Sequence, residues 1–335
     1  MKKASIVISD PFFKGNRLFD LDDPVANRDN CLYSFALLKK GLAENGFDLA
    51  TSDMHPPESS EVVIYNEMPK TLPNLSQKAK SYLLLFESEL IRPDNWVEEN
   101  HKAFKRVFTW HDDLIGKAHY SKINFSHLIP DNIPMDLSQK EKLCTLIAGN
   151  KKVSHPFELY SKRIEAIRWF ENNHPEEFDL YGVGWDRYRF TGPKLFRALN
   201  RIEFLTRWFA VSYPSYLGKV DSKSDTLRKY KFAICYENAR DIPGYITEKI
   251  FDCFFSGCIP VYWGANNITD YVPKQCFIDK RDFPSYEALY AHIKTMSDEE
   301  YLSRLNSIQE FLHSPQAKQF SSKYVINNVL CTILR

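Results

Sequence analysis

The sequence predicts an α/β protein made of two parallel-sheet units, and three observations carry that reading. The chain has 335 residues, room for two domains of about 150 residues each. Short apolar runs alternate with segments of helical periodicity along both halves, the pattern of repeated strand–helix–strand units. A polar, proline-containing stretch over residues 124–142 separates the halves. Two similar α/β halves facing across a cleft follow, and no internal repeat or low-complexity segment stands out.

In the first half, residues 4–9 form a strand. The run is too short for the apolar core of ~7–15 residues that a signal peptide needs. After a polar loop over 13–30, Leu32, Phe35, Leu38 and Leu42 recur at helical spacing and Gly46 stops the helix. Residues 61–65, 81–86 and 106–110 read as strands. The middle one is apolar on both faces, as a buried parallel strand is. In the second half, strands are expected at 143–148, 178–181, 231–236 and 259–264. Pro260 lies near the start of the last, where a missing N–H matters least. Helices are expected over 158–172 and 247–255, the latter stopped by Gly257. Ser297 and Glu300 form a capping box for a helix reaching about Leu312, and a last helix covers 317–333.

Composition narrows the function. With 44 basic and 43 acidic residues the net charge is +1, and no basic stripe marks the chain, so nucleic acid is not an expected partner. Aromatic residues make up 14%; sugar-binding surfaces and ordinary cores both use them, and cores are the commoner use. No stretch approaches the ~20 apolar residues of a membrane helix. Seven cysteines are scattered without a CxxC pair or a companion histidine spacing, which argues against zinc and fits reduced, buried thiols. The expectation is a soluble cytoplasmic protein.

Ligands of open parallel sheets bind beyond the carboxyl ends of strands. In the first half that rule selects Glu87, a carboxylate leaving an apolar strand. Partial desolvation would raise its pKa and suit it to accept a proton; a solvated loop carboxylate is the other reading. In the second half the rule selects Glu237, Asn238 and, across a loop, the run from Gly244 to Lys249. Thr247 stands at an N-cap position with Glu248 and Lys249 in the first turn. A cation at a helix N-terminus is unfavourable, and a bound anion would relieve it. Arg163, early in the 158–172 helix, offers a second cation. Both are otherwise ordinary exposed charges.

Other motifs fail. The Gly182-Val183-Gly184 start of a dinucleotide loop has Arg187 at its third glycine position, so NAD and FAD are not expected, and no GxxxxGK phosphate loop exists. The Asp-x-Asp pattern Asp20-Leu21-Asp22 lies in a polar loop and reads as a solvated charge run. His111-Asp112-Asp113 ends a strand but lacks a second cluster to make a metal site.

The run Tyr230 to Asn238, then Gly244-Tyr245-Ile246-Thr247-Glu248-Lys249-Ile250, then Ile259 to Gly264 resembles the signature of the α-1,3/4-fucosyltransferases, glycosyltransferase family 10, of bacterial type. Phe86-Glu87-Ser88, the run from His155 to Arg163 and that from Asp179 to Trp185 also resemble family segments. The resemblance is strong over about residues 143–283 and thin over 1–140. It implies a GT-B fold, two Rossmann-like domains facing across a cleft. Residues 1–142 would bind the acceptor and carry the base, residues 143–315 would bind GDP-fucose, and residues 316–335 would form a helix packing back on the first domain.

The implied reaction is inverting transfer of fucose from GDP-fucose to a GlcNAc-containing glycan, such as an O-antigen or Lewis-type acceptor, with no metal or other cofactor. By the same resemblance Glu87 is the general base. Arg163 and Lys249 neutralise the diphosphate, Asn238, Tyr245 and Glu248 hold the donor, and Lys223 adds a further donor contact. The expected partners are GDP-fucose and an oligosaccharide or lipid-linked acceptor, with peripheral membrane association open. A transferase for another GDP-sugar and a non-catalytic glycan-binding module are the alternatives, and a base at Glu87 disfavours the second.

Overall fold

The computed structural model describes residues 1–190 and 193–335. Its first unit is a six-stranded sheet of β1 (Lys2–Ile8), β2 (Phe47–Thr51), β3 (Val62–Asn66), β4 (Ser81–Leu85), β5 (Arg106–Thr109) and β6 (Tyr120–Lys122). The order is β2-β1-β3-β4-β5-β6, and every pair is parallel. β4 lies mid-sheet with all five residues buried, which is why its sequence is apolar on both faces. β2, which lacks an apolar run of its own, is absent from the sequence expectation; its Leu49 and Ala50 are buried because the register against β1 places them there.

The second unit is a five-stranded parallel sheet of β7 (Lys142–Ile147), β8 (Phe178–Tyr181), β9 (Tyr230–Tyr236), β10 (Ile259–Trp263) and β11 (Ile278–Asp279), in the order β11-β10-β9-β7-β8. β9 and β10 run in register from Phe232 opposite Ile259 to Tyr236 opposite Trp263. The C-terminal ends of both sheets therefore carry the loops that hold Glu87, Asn238 and Gly244–Lys249.

Three expected elements differ in detail. The helix expected from residue 158 starts at Tyr160 and runs to Asn173, because the Glu158 carboxylate turns back to accept the Ser161 N–H at 2.9 Å. Ser297 caps the helix Asp298–His313 through the Glu300 N–H, but the reciprocal half of the box is missing: Glu300 pairs with Arg304 at 3.3 Å. The expected 317–333 helix is two pieces, Pro315–Lys318 and Ser322–Ile333. The chain breaks between them to exchange backbone hydrogen bonds with His127, whose N–H donates to Phe320 O and whose carbonyl accepts from Ser322 N–H, each at 2.8 Å.

That break directs Ser322–Ile333 onto the first unit. Val325, Ile326, Val329 and Ile333 join the core formed by Ala4, Ile6, Leu38, Leu42 and Leu84. Gly41 in the helix Tyr33–Glu44 admits the approach, since a Cβ there would lie 2.2 Å from Leu330 Cδ1.

The two units are joined at the cleft floor. Asp112, beyond β5, accepts from Lys122 Nζ at 2.5 Å, Tyr271 Oη at 2.6 Å and Asn267 Nδ2 at 2.8 Å. Asn267 in turn accepts the Gly244 N–H at 2.9 Å. Gly244 has φ +80, and a Cβ there would lie 2.3 Å from the Trp110 carbonyl, so both backbone and space require glycine. Next to this network Leu90, Trp110, Tyr160, Ala239 and Tyr245 form a small buried cluster drawn from both units. The Trp110 and Tyr245 rings stand 4.7 Å apart.

Candidate active site

β4 delivers Glu87 to the cleft from the first unit. Burial pushes its carboxyl above the ordinary 4.5; Glu248 adds to the rise, while Lys249, Lys151 and Arg92 oppose it. Glu87 thus lies within electrostatic reach of the pair contributed by the other domain. Its peptide is held on both sides: Trp96 Nε1 donates to its carbonyl at 3.1 Å, and its N–H donates to Glu67 Oε1 at 3.0 Å.

From the second unit comes the helix Glu248–Phe255, capped by the Thr247 side chain accepting the Lys249 N–H. Glu237, fully buried at the end of β9, accepts the Thr247 N–H at 2.8 Å and its hydroxyl at 2.7 Å. Lys249 Nζ lies 3.3 Å from Glu237 Oε2, 3.3 Å from Glu248 Oε1 and 3.0 Å from Thr247 Oγ1. The expected penalty of a cation at this helix start is therefore already relieved by two carboxylates, so an anion is not required to explain Lys249. Burial would raise the Glu248 carboxyl, but Lys249 and Lys223 outweigh it and hold it at about 2. Burial alone would lower Lys249, and Glu248 with Glu237 drives it above its usual value instead.

Arg163 is 4% exposed. Its guanidinium donates to the Tyr236 carbonyl at 2.6 Å and to Asn238 Oδ1 at 3.1 Å, and Asn238 Nδ2 reaches Tyr245 Oη at 3.5 Å. Desolvation lowers Arg163, with Tyr160, Glu237 and Tyr245 opposing. Arg163, Asn238 and Tyr245 thus form one connected cluster whose charges couple to Lys249. Lys223 pairs with Asp252, one turn beyond Glu248 on the same helix, at 2.9 Å and lies within 3.8 Å of Asp29. Its charge is coupled to Glu248, and burial with Glu248 lifts Asp252 to about 6 despite that pairing.

Sequence reasoning missed four groups at this cleft. Glu67 follows β3 as Glu87 follows β4, so the same strand-end rule would have found it. Burial raises Glu67 to about 7 against the pull of the Glu87 and Phe86 N–H groups and Asn95. Lys151 lies in the loop beyond β7, and its charge lowers the Glu87 carboxyl. Tyr160 Oη is buried at the cleft without a hydrogen-bond partner among the described residues. From sequence Asp112 reads only as a candidate metal ligand, whereas in the fold it ties the two units. Among the described residues no group of three or more His, Cys, Asp or Glu is placed to hold a metal ion.

With this geometry established, residues 194–335 match the family model described as glycosyltransferase family 10 (fucosyltransferase), C-terminal part. An α-(1,3)-fucosyltransferase of Helicobacter pylori is 32% identical over 158 residues, covering 42% of this chain and 32% of that protein. An α-(1,4)-fucosyltransferase of Arabidopsis thaliana is 40% identical over 70 residues, covering 21% and 17%. The matched stretches thus span a third or less of those relatives.

Solved structures extend the likeness to the whole fold. An α1,3-fucosyltransferase crystallised with GDP-fucose superposes with a TM-score of 0.53 at 15% identity, covering all of this chain and 90% of that one. An α-glucosyltransferase in complex with UDP-glucose and DNA gives 0.57 at 10% identity, covering both chains in full. The architecture is therefore the GT-B arrangement, and the stretch that matches the family 10 model lies in the second half of the chain.

Proposed function

We propose that this chain transfers fucose from GDP-fucose to a hydroxyl of a GlcNAc-containing glycan, with inversion, without a metal, and with α-1,3 linkage favoured over α-1,4. The observation that carries the reading is Glu87, raised by burial beyond the end of one sheet and within electrostatic reach of the Glu248–Lys249 pair beyond the end of the other. A proton acceptor and a cation cluster on opposite walls of one cleft are the two groups that inverting transfer uses.

As the acceptor hydroxyl attacks the anomeric carbon, Glu87 takes its proton. The bond to the departing β-phosphate breaks, the sugar passes through an oxocarbenium-like state, and negative charge grows on the diphosphate. Arg163 and Lys249 stabilise that growing charge, and groups aimed where charge develops act on the transition state more than on bound substrate. Because Lys249 is paired with Glu248 at 3.3 Å before donor arrives, donor binding exchanges that contact for phosphate. The released Glu248, held ionised, then accepts from sugar hydroxyls. Asn238 and Tyr245 complete the donor wall, and Lys223 supports it by neutralising Asp252.

An acceptor carried on a lipid fits a further surface. Ten of the 23 large apolar side chains exposed among the described residues fall between 183 and 217, including Leu195, Phe196, Phe204 and Trp208. The same segment holds six Arg or Lys against two acids, in a chain whose net charge is only +1. Apolar rings interleaved with cations suit the headgroup region of an anionic bilayer, which supports peripheral association there.

Glu87→Gln keeps the shape and removes the base. Transfer is expected to fall by about 10²–10⁴-fold, while GDP-fucose affinity measured by titration calorimetry stays within about twofold. Full transfer by the variant would remove Glu87 from its role. A screen of GDP-sugars and glycan acceptors, with product linkage read by NMR, decides donor and linkage, and activity lost in EDTA and restored by Mn²⁺ would overturn metal independence.

A further inference from the structure

We propose that Glu67 is a positioning residue for transfer: clamped by Asn95, its carboxylate holds the Phe86–Glu87 backbone so that the Glu87 carboxyl is aimed into the cleft. The inference rests on the reading of Glu87 as the base and names what sets that base in place.

Glu67 directly follows β3, and its φ is +70. Five non-glycine residues have a positive φ among those described: Asn16, Asp29, Asn30, Glu67 and Asp241. The other four are Asn or Asp, whose short polar side chains tolerate the left-handed region; a glutamate there is held against the steric cost of its Cβ. Strain of that kind persists where the surroundings over-determine it, and they do so here. Glu67 Oε1 accepts the N–H groups of Phe86 at 3.1 Å and Glu87 at 3.0 Å. Its Oε2 accepts from Asn95 Nδ2.

Asn95 is fully buried and cannot turn over. Its Oδ1 accepts the Met68 N–H at 2.9 Å, its Nδ2 also reaches the Glu87 carbonyl at 3.3 Å, and its own carbonyl meets His101 Nε2 at 2.6 Å. The Phe86 carbonyl accepts from Trp110 Nε1 at 2.7 Å. The peptide units flanking the Glu87 Cα are thus fixed by side chains where the strand ladder has ended. A mere cap on the end of β4 would need only the N–H bonds. The second oxygen, the buried amide fixed on it and the strained backbone are what aiming adds.

The test exploits the fixed amide. In Glu67→Gln one terminal atom still accepts, but the new NH₂ faces the NH₂ of Asn95, which the Met68 N–H keeps from flipping. Glu67→Gln/Asn95→Asp restores the donor–acceptor match between these two side chains; it gives up the longer Asn95 contact to the Glu87 carbonyl, which Trp96 Nε1 still holds at 3.1 Å. The single variant is expected to lower kcat on the order of 10²-fold, the effect of displacing a reacting group by about 1 Å. KM for GDP-fucose should stay within about twofold, and the double variant should recover kcat to within about threefold.

An unchanged kcat in the single variant, or a double variant that regains thermal stability but not kcat, would overturn the inference. Where the single variant does not fold, the double variant decides alone: folded, GDP-fucose-binding protein with kcat about 10²-fold down overturns it, and near-normal kcat supports it. Full activity of Glu87→Gln defeats the base reading itself, whereas an inactive Glu87→Gln beside a fully active Glu67→Gln defeats only this one.

Discussion

The decisive chemistry of this cleft lies in how single carboxylates are surrounded. Glu87 and Glu248 are the same residue type, and their environments drive them apart. Burial with little pairing raises the first, while two ammonium groups hold the second at about 2. Separation of this kind lets one carboxylate act as proton acceptor while the other remains a fixed charge. It also sets a pH dependence. A base whose pKa is raised is ionised only above that raised value, so kcat/KM for transfer should fall as pH drops, with a midpoint above the ordinary 4.5. Removing the Lys249 ammonium by Lys249→Met should move that midpoint up, because Lys249 opposes the rise. A pH–rate profile with unmoved midpoint would contradict the facing of the two walls. Glu87, Arg163, Asn238, Tyr245, Glu248 and Lys249 were all legible in the sequence, through strand ends and the family signature. The pairing of Lys249 with Glu237 was not, because it depends on two side chains twelve residues apart meeting across a loop.

At the level of elements, regular strands and helices follow the apolar periodicity closely where burial is two-sided, as in β4 and β9. They depart from it where a tertiary contact substitutes for pattern: β2 is recruited by its register with β1, and the C-terminal helix is broken so that residues 319–321 can pair with the segment around His127. The 183–217 segment shows the opposite case, amphipathic chain with too little partner surface. Leu195, Phe204 and Trp208 are 84%, 68% and 72% exposed. Flotation with vesicles containing anionic lipid is expected to carry the protein upward, more weakly at high salt since screening shortens electrostatic reach to about 3 Å at 1 M. Phe204→Ser/Trp208→Ser should lose most of that binding while transfer to a soluble acceptor is kept. Equal flotation on neutral and anionic vesicles would argue against the charge complementarity, and none at all against the membrane as occupant.

For the whole molecule, the question is what keeps two domains in a geometry that places Glu87 opposite Lys249. Asp112 is the main polar tie, joining Lys122 of its own unit to Tyr271 and Asn267 of the other. Burial would raise its carboxyl, but these three partners hold it below 3.8. Its contribution is therefore present above about that value and lost as pH falls through the depressed one. Hydrogen bonds to a charged group contribute about 1.5–3 kcal/mol each, and partial exposure puts these at the low end. Asp112→Ala should lower the calorimetric melting temperature by about 2–4 °C per kcal/mol lost and make the transition broader than that of the parent. A variant melting like the parent would remove Asp112 from this role.

The aromatic excess belongs mostly to this scale as well, since Trp110, Tyr82, Tyr236, Tyr245, Tyr262 and Tyr301 are buried in the cores and at the domain junction. By itself the sequence determined two parallel α/β units, the strands that end at the cleft and the residue types those ends present, because apolar periodicity and strand-end position are local properties. Only the tertiary structure decided which charges are already neutralised, that Glu67 and Asn95 clamp the Glu87 backbone, and that Asp112 joins the domains. Those outcomes depend on distances between segments far apart in the chain, and pairing and desolvation, which fix what a charge can do, act through those distances.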